Sequence, residues 1–219
     1  MRYDHVIYDL DGTLLNTLDD LAGSVNHAMA AFGYPTHSVQ AVCAMVGNGM
    51  DNLIRLAMPE TLRSDVDLRR QVLSVFQQHY ALHSDDLTCA YDGIEEMLDV
   101  LAKAGVKQAI VSNKGDPFVK ELNQKYFANW VELAVGEHAG VRRKPWPDSV
   151  LQIMNQWQCD PSRALYVGDS DVDIQTAHNA GVDCASVCWG FRTEEQLKEA
   201  GAACLIRTPK ELAALVMGE

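Results

Sequence analysis

The chain's 219 residues are 47% hydrophobic and 22% charged, with 18 basic residues against 30 acidic ones and a formal charge of −12. That length suits one large domain or a core with a smaller module, and the acidic balance disfavours nonspecific nucleic-acid binding while leaving room for a small anionic substrate met by local cations or a metal ion. No apolar run approaches the roughly 18–20 residues of a membrane span, and the sequence passes directly into its first strand, so neither a membrane segment nor a signal peptide is expected.

The elements follow in order. His5-Val6-Ile7-Tyr8 is a short β-branched and aromatic run that reads as a buried parallel strand. Asp9-Leu10-Asp11-Gly12-Thr13 comes next. Two carboxylates two residues apart at a strand's end are expected on one side, where they repel by roughly 4 kcal/mol at 4 Å and an effective dielectric near 20. Such a pair calls for a bound cation, a shared proton or catalytic work; the plain alternative is a solvated Asp-Gly turn. Gly12 turns the chain and Thr13 adds a hydroxyl and an N–H. Residues 16–88 then carry helix-period apolar residues over Thr17–Phe32, Val39–Met45, Met50–Met58 and Leu62–His83, with no strand pattern between them. They predict a helical module inserted directly after the first strand, hinged near residues 14–17 and 88–92, able to open and close over the Asp9/Asp11 site. Its alternative is a helical decoration of fixed position.

From residue 89 the pattern alternates. A helix from Gly93 to Gly105, a strand at Gln108–Val111, a helix through Phe118, Leu122 and Tyr126, and a strand at Val131–Val135 are followed by a helix at Asp148–Trp157. Strands at Ala164–Val167 and Cys184–Val187 and helices around Ile174–Ala180, Glu194–Ala200 and Lys210–Val216 complete it. Repeated βα units imply a doubly wound, mainly parallel sheet with helices on both faces, with ligands at the carboxyl ends of the strands. Six cysteines without a Cys-x-x-Cys pair read as reduced residues of a cytoplasmic protein.

Chemistry-bearing residues fall at those strand ends. Ser112-Asn113 closes the second strand; the serine is either a structural cap or a donor to phosphoryl oxygens. Lys144 lies between Arg143 and Pro145, with Pro147 beyond, so the prolines stiffen the backbone that aims it. Gly168-Asp169-Ser170-Asp171-Val172-Asp173 ends the fourth strand in an acidic cluster, a surface acidic loop being the alternative. Carboxylates with waters suit Mg²⁺, whereas Zn²⁺ would call for His or Cys.

Asp9-x-Asp11-Gly12-Thr13, Ser112, Lys144 and Gly168-Asp169-x-x-x-Asp173 together resemble the four signatures of the haloacid dehalogenase-like phosphatase superfamily, over essentially the whole chain. The resemblance implies a Rossmann-like α/β core of residues 1–15 and 89–219, with residues 16–88 as a C1-type helical cap. It makes Asp9 a nucleophile forming an aspartyl-phosphate and Asp11 the acid and base. Asp9, the backbone carbonyl of Asp11, and Asp169 would hold Mg²⁺, with Asp173 supporting them. Thr13, Ser112, Asn113 and Lys144 would bind the phosphoryl group. Haloalkanoate dehalogenases lack the second motif Asp, and the phosphonoacetaldehyde hydrolases and sugar-phosphate mutases use a cap lysine, whereas the first lysine here is Lys103. Val46-Gly47-Asn48-Gly49-Met50 is similar to the cap loop of phosphoglycolate phosphatases, with a plain interhelical turn as the alternative; Trp189-Gly190-Phe191-Arg192-Thr193 is also similar to that subfamily. Gly47, Asn48, Gly49 and Arg55 are the expected substrate-side residues, with Arg55 as partner for a substrate carboxylate.

The expected activity is therefore an Mg²⁺-dependent phosphomonoester hydrolase of the phosphoglycolate phosphatase type, acting on a small phosphorylated metabolite as a monomer or small homo-oligomer. A broader phosphatase for other sugar phosphates, nucleoside monophosphates or pyrophosphate is the alternative within enzymes. A phospho-accepting signalling module is the alternative outside them, although receiver domains are shorter and lack both Asp-x-Asp-Gly-Thr and a helical insert.

Overall fold

The computed structural model describes residues 1–219, and the chain divides into two compact units: Met1–Leu15 with Ala90–Glu219, and Asn16–Cys89. Strand β1 (His5–Tyr8) precedes β2 (Leu15–Asn16), helices α1 (Leu18–Ala31), α2 (Val39–Cys43), α3 (Gly49–Ala57) and α4 (Val66–His83), and strand β3 (Cys89–Ala90). Then come α5 (Ile94–Lys103), β4 (Lys107–Gly115), α6 (Asp116–Tyr126), β5 (Leu133–Glu137), α7 (Asp148–Trp157), β6 (Ala164–Gly168), α8 (Asp171–Ala180), β7 (Asp183–Val187), α9 (Glu194–Glu199), β8 (Leu205–Ile206) and α10 (Pro209–Met217).

The first unit is built on a six-stranded sheet in the order β5-β4-β1-β6-β7-β8, parallel throughout. From β1 the chain winds outward through β4 to β5, then crosses to β6 on the other side of β1 and winds out again. That reversal makes the carboxyl ends of β1 and β6 the switch point, where doubly wound sheets bind ligands. His5 to Tyr8 pair in register with Ala164 to Val167, so Asp9 and Asp169 leave the sheet side by side.

Strand alternation divides the core into two layers. Val6, Tyr8, Ile110, Leu165 and Val167 pack with Leu98 and Leu101 of α5, Val119 and Leu122 of α6, and Leu212 and Val216 of α10. Ile7, Ala109, Val111 and Tyr166 face the opposite way, onto Val150, Ile153 and Met154 of α7 and Ala177 of α8. Burying such aliphatic and aromatic side chains contributes roughly 1.5–3 kcal/mol each, which explains why these strands are almost continuously apolar.

The second unit is helical. Val72, Phe76 and Tyr80 recur every fourth residue along α4, which packs on α1, where Leu21, Ala22, Val25, Ala28 and Met29 are buried. Asp65 caps α4 by accepting from the Leu68 N–H at 2.9 Å. This cap sets the start of α4 at Val66, later than the Leu62 expected; Glu60–Leu62 forms a separate 3₁₀ turn. Near the other end of the unit, the buried Asp20 carboxylate accepts from the N–H groups of Leu87 and Thr88 and from the Thr88 hydroxyl, at 2.8–3.0 Å. No helix is long and apolar enough to cross a membrane.

Candidate active site

Asp9 is the first residue beyond β1, and its N–H donates to Val167 O at 2.8 Å, which ties it to β6. Gly12 has φ +85°, and a Cβ there would lie 2.4 Å from Asp169 Oδ2, so glycine alone lets this turn approach the carboxylate. On the facing loop a Cβ on Gly190 would lie 2.3 Å from both Asp169 Cβ and Gly12 O. The adjacent Phe191 N–H donates to Asp169 Oδ2 at 2.6 Å, and Trp189 Nε1 donates to Thr13 O at 2.9 Å. Asp169 is therefore enclosed by backbone on two sides.

Asp173 is not a loop residue. Helix α8 begins at Asp171, earlier than the apolar periodicity from Ile174 suggested, because the Ser170 N–H and hydroxyl both donate to Asp173 Oδ2, at 3.1 and 2.6 Å. Acidic side chains in a first helical turn also meet the positive end of the helix dipole. Asp173 Oδ1 accepts from Lys144 Nζ at 2.8 Å, and the same ammonium lies 2.8 Å from Asp9 Oδ1. Lys144 is 5% exposed, and its carbonyl accepts from Asn113 Nδ2 at 3.0 Å. Arg142, bonded to Asp148 at 2.8 Å and lying over the Trp146 ring, braces the segment leading to α7.

Carboxylate oxygens of Asp9, Asp169 and Asp173 all lie within 4.8 Å of one another. Asp11 does not join them with its side chain: its Oδ1 accepts from Lys114 Nζ at 2.7 Å. Because β1 ends at Tyr8, the two aspartates are outside the strand, and simple alternation does not set their directions. Ser112 is buried, with Oγ accepting from the Lys114 N–H at 3.1 Å. The buried Thr13 Oγ1 has no protein partner, while the Thr13 N–H closes the turn onto Leu10 O at 3.3 Å. In the helical unit Gly47 and Gly49 take φ +125° and +80°, and Asn48 precedes α3. Arg55 turns back onto Asn52 Oδ1 at 2.8 Å.

Burial pushes the Asp9 carboxyl up to about 7 against the pull of Lys144, with Asp173 and Asp11 adding to the rise. Burial, with Asp173 and Asp9 nearby, holds Asp169 well above the carboxylate range. Burial alone would lower Lys144, but Asp173 and Asp9 outweigh it and hold the ammonium well above its usual value. Burial and mutual repulsion thus hold Asp9 and Asp169 above the carboxylate range, and a bound cation would relieve both. The clustered donors of Asp9, Asp169 and Asp173 are all oxygen, so the residues fit a hard divalent cation.

Sequence reasoning missed Lys114, which lies on a strand expected to stop at Val111 but running to Gly115. It also missed the close approach of Gly168, where a Cβ would lie 2.3 Å from Asp173 Cγ. A lysine directly after an apolar strand and a Ser-Asn pair was the available signal for the first; the second opens the Gly168-Asp169-x-x-x-Asp173 signature, but the closeness of its backbone to Asp173 had no signal of its own.

A model of the haloacid dehalogenase-like hydrolases matches residues 6–187. Among curated relatives, a phosphoglycolate phosphatase from Pseudomonas putida is 36% identical over 190 residues, covering 85% of this chain and 70% of its own. Another phosphoglycolate phosphatase, from Vibrio parahaemolyticus, is 36% identical over 197 residues, covering 88% and 86%. A crystal structure from Lactobacillus delbrueckii subsp. bulgaricus, assigned as a phosphoglycolate phosphatase, superposes with a TM-score of 0.94 at 31% identity over all of both chains. The chain belongs to the haloacid dehalogenase-like hydrolases. Within them its activity is that of a phosphatase.

Proposed function

We propose that this phosphatase hydrolyses 2-phosphoglycolate through an aspartyl-phosphate on Asp9, with Mg²⁺ held by Asp9, the Asp11 carbonyl and Asp169. The observation that carries the mechanism is the enclosed group of Asp9, Lys144, Asp169 and Asp173 at the switch point of the sheet. Bound Mg²⁺ would neutralise charge on the phosphoryl oxygens and favour ionised Asp9.

Asp9 attacks phosphorus, so its Oδ–P bond forms as the bond to the leaving oxygen breaks, and Asp11 gives that oxygen its proton. Water then attacks phosphorus, Asp11 takes the water proton, and the Asp9–phosphorus bond breaks to release phosphate. Lys144 neutralises negative charge on the phosphoryl group and keeps Asp9 oriented through its 2.8 Å bond, while Asp173 fixes Lys144 from the other side. Ser112 and Thr13 supply hydroxyls to phosphoryl oxygens. Asn113, whose amide nitrogen is bonded to the Lys144 carbonyl, serves by holding the loop that carries that lysine.

In this reading the helical unit is the cap, and Gly47, Asn48 and Gly49 are its proposed substrate-side residues, both glycines having positive φ. Arg55 is the proposed partner for the glycolate carboxylate. The six thiols, none in a disulfide, agree with work in the cytoplasm. The relatives' activity supports the choice of substrate. The test is kcat/KM over 2-phosphoglycolate, glycerol phosphates, hexose phosphates, nucleoside monophosphates and pyrophosphate. We expect 2-phosphoglycolate to rank first. A tenfold preference for another member, about 1.4 kcal/mol of transition-state binding, overturns the substrate and leaves the phosphatase.

A further inference from the structure

We propose that Lys114 is the positioning residue for Asp11, fixing the direction from which its carboxyl group meets the leaving oxygen. The inference rests on the reading of Asp11 as acid and base. The two aspartates of the motif are divided between two lysines: Asp9 is bonded to Lys144 at 2.8 Å and Asp11 to Lys114 at 2.7 Å. The Lys114 side chain is only 2% exposed and that of Asp11 13%. A lysine carries four flexible methylenes and is seldom buried without a partner. Holding one here indicates that the direction of its ammonium matters.

The backbone beneath Lys114 is fixed with matching care. Its N–H donates to Ser112 Oγ at 3.1 Å. The register between β4 and β5 shifts between Val111 and Gly115, which redirects the chain around Lys114. Gly136 of β5 lies against this stretch so closely that a Cβ would be 2.6 Å from Lys114 O and 2.5 Å from Asp116 Cα. The Gly136 N–H then donates to Asp116 Oδ1 at 3.0 Å, pinning the residue two places on. A side chain meant only to fill space would need none of this. The arrangement gives the nucleophile and the proton donor separate anchors.

The experiment compares wild type, Lys114→Met, Lys114→Arg, Asp11→Asn and the Lys114→Met/Asp11→Asn double variant in Mg²⁺ buffer. Substrates are p-nitrophenyl phosphate, whose leaving group needs no proton, and 2-phosphoglycolate or glycerol phosphate, whose alkoxide does. A positioned acid contributes about 10²–10⁴-fold, and misdirecting it should forfeit part of that. We expect Lys114→Met to lower kcat on the alkyl phosphate about 10–100-fold with KM little changed, and to lower it much less on p-nitrophenyl phosphate. Lys114→Arg should recover part of the loss, and the double variant should be no slower than Asp11→Asn.

Equal losses on both substrates with Lys114→Met, or losses that multiply in the double variant, overturn the proposal while leaving Asp11 as acid. If Asp11→Asn itself is blind to the leaving group, the acid reading fails and the proposal fails with it. Should Lys114→Met melt below the assay temperature, Lys114→Gln takes its place under the same criteria.

Discussion

Asp9→Asn separates catalysis from stability at a single atom. Burial lifts the Asp9 carboxyl from an ordinary 3.8 to about 7. Each tenfold change in proton affinity is worth about 1.4 kcal/mol, so in metal-free protein above pH 7 the ionised carboxylate costs about 4 kcal/mol relative to the unfolded chain. The sign follows from the raised value: any stability Asp9 contributes is present below pH 3.8 and is lost as pH rises through 7. Asparagine has no such loss. With chelator present, Asp9→Asn should gain on wild type by about 1–2 kcal/mol at pH 5 and about 4 kcal/mol at pH 8, less a pH-independent amount for the weakened Lys144 contact. The increment between the two pH values, about 2–3 kcal/mol, cancels that amount. Urea unfolding of both proteins at both pH values measures it, and in Mg²⁺ the variant should remain folded yet turn over less than a few per cent as fast as wild type. A flat difference between pH 5 and pH 8 would refute the electrostatic reasoning. Substantial turnover by the folded variant would refute Asp9 as nucleophile.

Exhaustive chelation should abolish activity, with Mg²⁺ restoring it and Ca²⁺ restoring it poorly, because Ca²⁺ prefers longer bonds and more ligands; full activity in chelator would rule out the metal site. Gly190→Ala should lower Mg²⁺ affinity and cost about 1–3 kcal/mol of stability, since its Cβ meets Asp169 and the backbone of Gly12. Gly23→Ala, on α1 with nothing within 4 Å of the new methyl, is the control and should gain about 0.5–1 kcal/mol with unchanged turnover.

The sheet was readable because parallel strands covered on both faces leave a continuous apolar trace, as in Val6-Ile7-Tyr8 and Leu165-Tyr166-Val167. Strand β8 was not: Leu205–Ile206 is too short for any periodicity. The strand ends carrying Asp9, Ser112 and Asp169 could be grouped because doubly wound topology gathers such ends along one edge. Asp173 was legible as a residue but not as a helical one, since its bonds with Ser170, not apolar spacing, start α8. Lys114 escaped because a charge reads as the end of a buried strand, and its neutraliser is Asp11, 103 positions away. Gly168 and Gly190 stood inside recognised motifs, but the reason for glycine there did not show in one dimension. Their role is to lack a Cβ beside a carboxylate brought in from elsewhere in the chain.

The bonds from Leu87 and Thr88 to Asp20 have a consequence for how such a chain can change. They hold the departing end of the helical unit against its arriving end, so the segment begins and finishes at one spot. A segment of that kind is a cassette. It can be lengthened, shortened or replaced without rerouting the chain that carries it, because the host is asked only to supply two neighbouring attachment points. Transplanting residues 17–88 between chains with the same sheet should therefore need only the Asp20 clasp to travel with them.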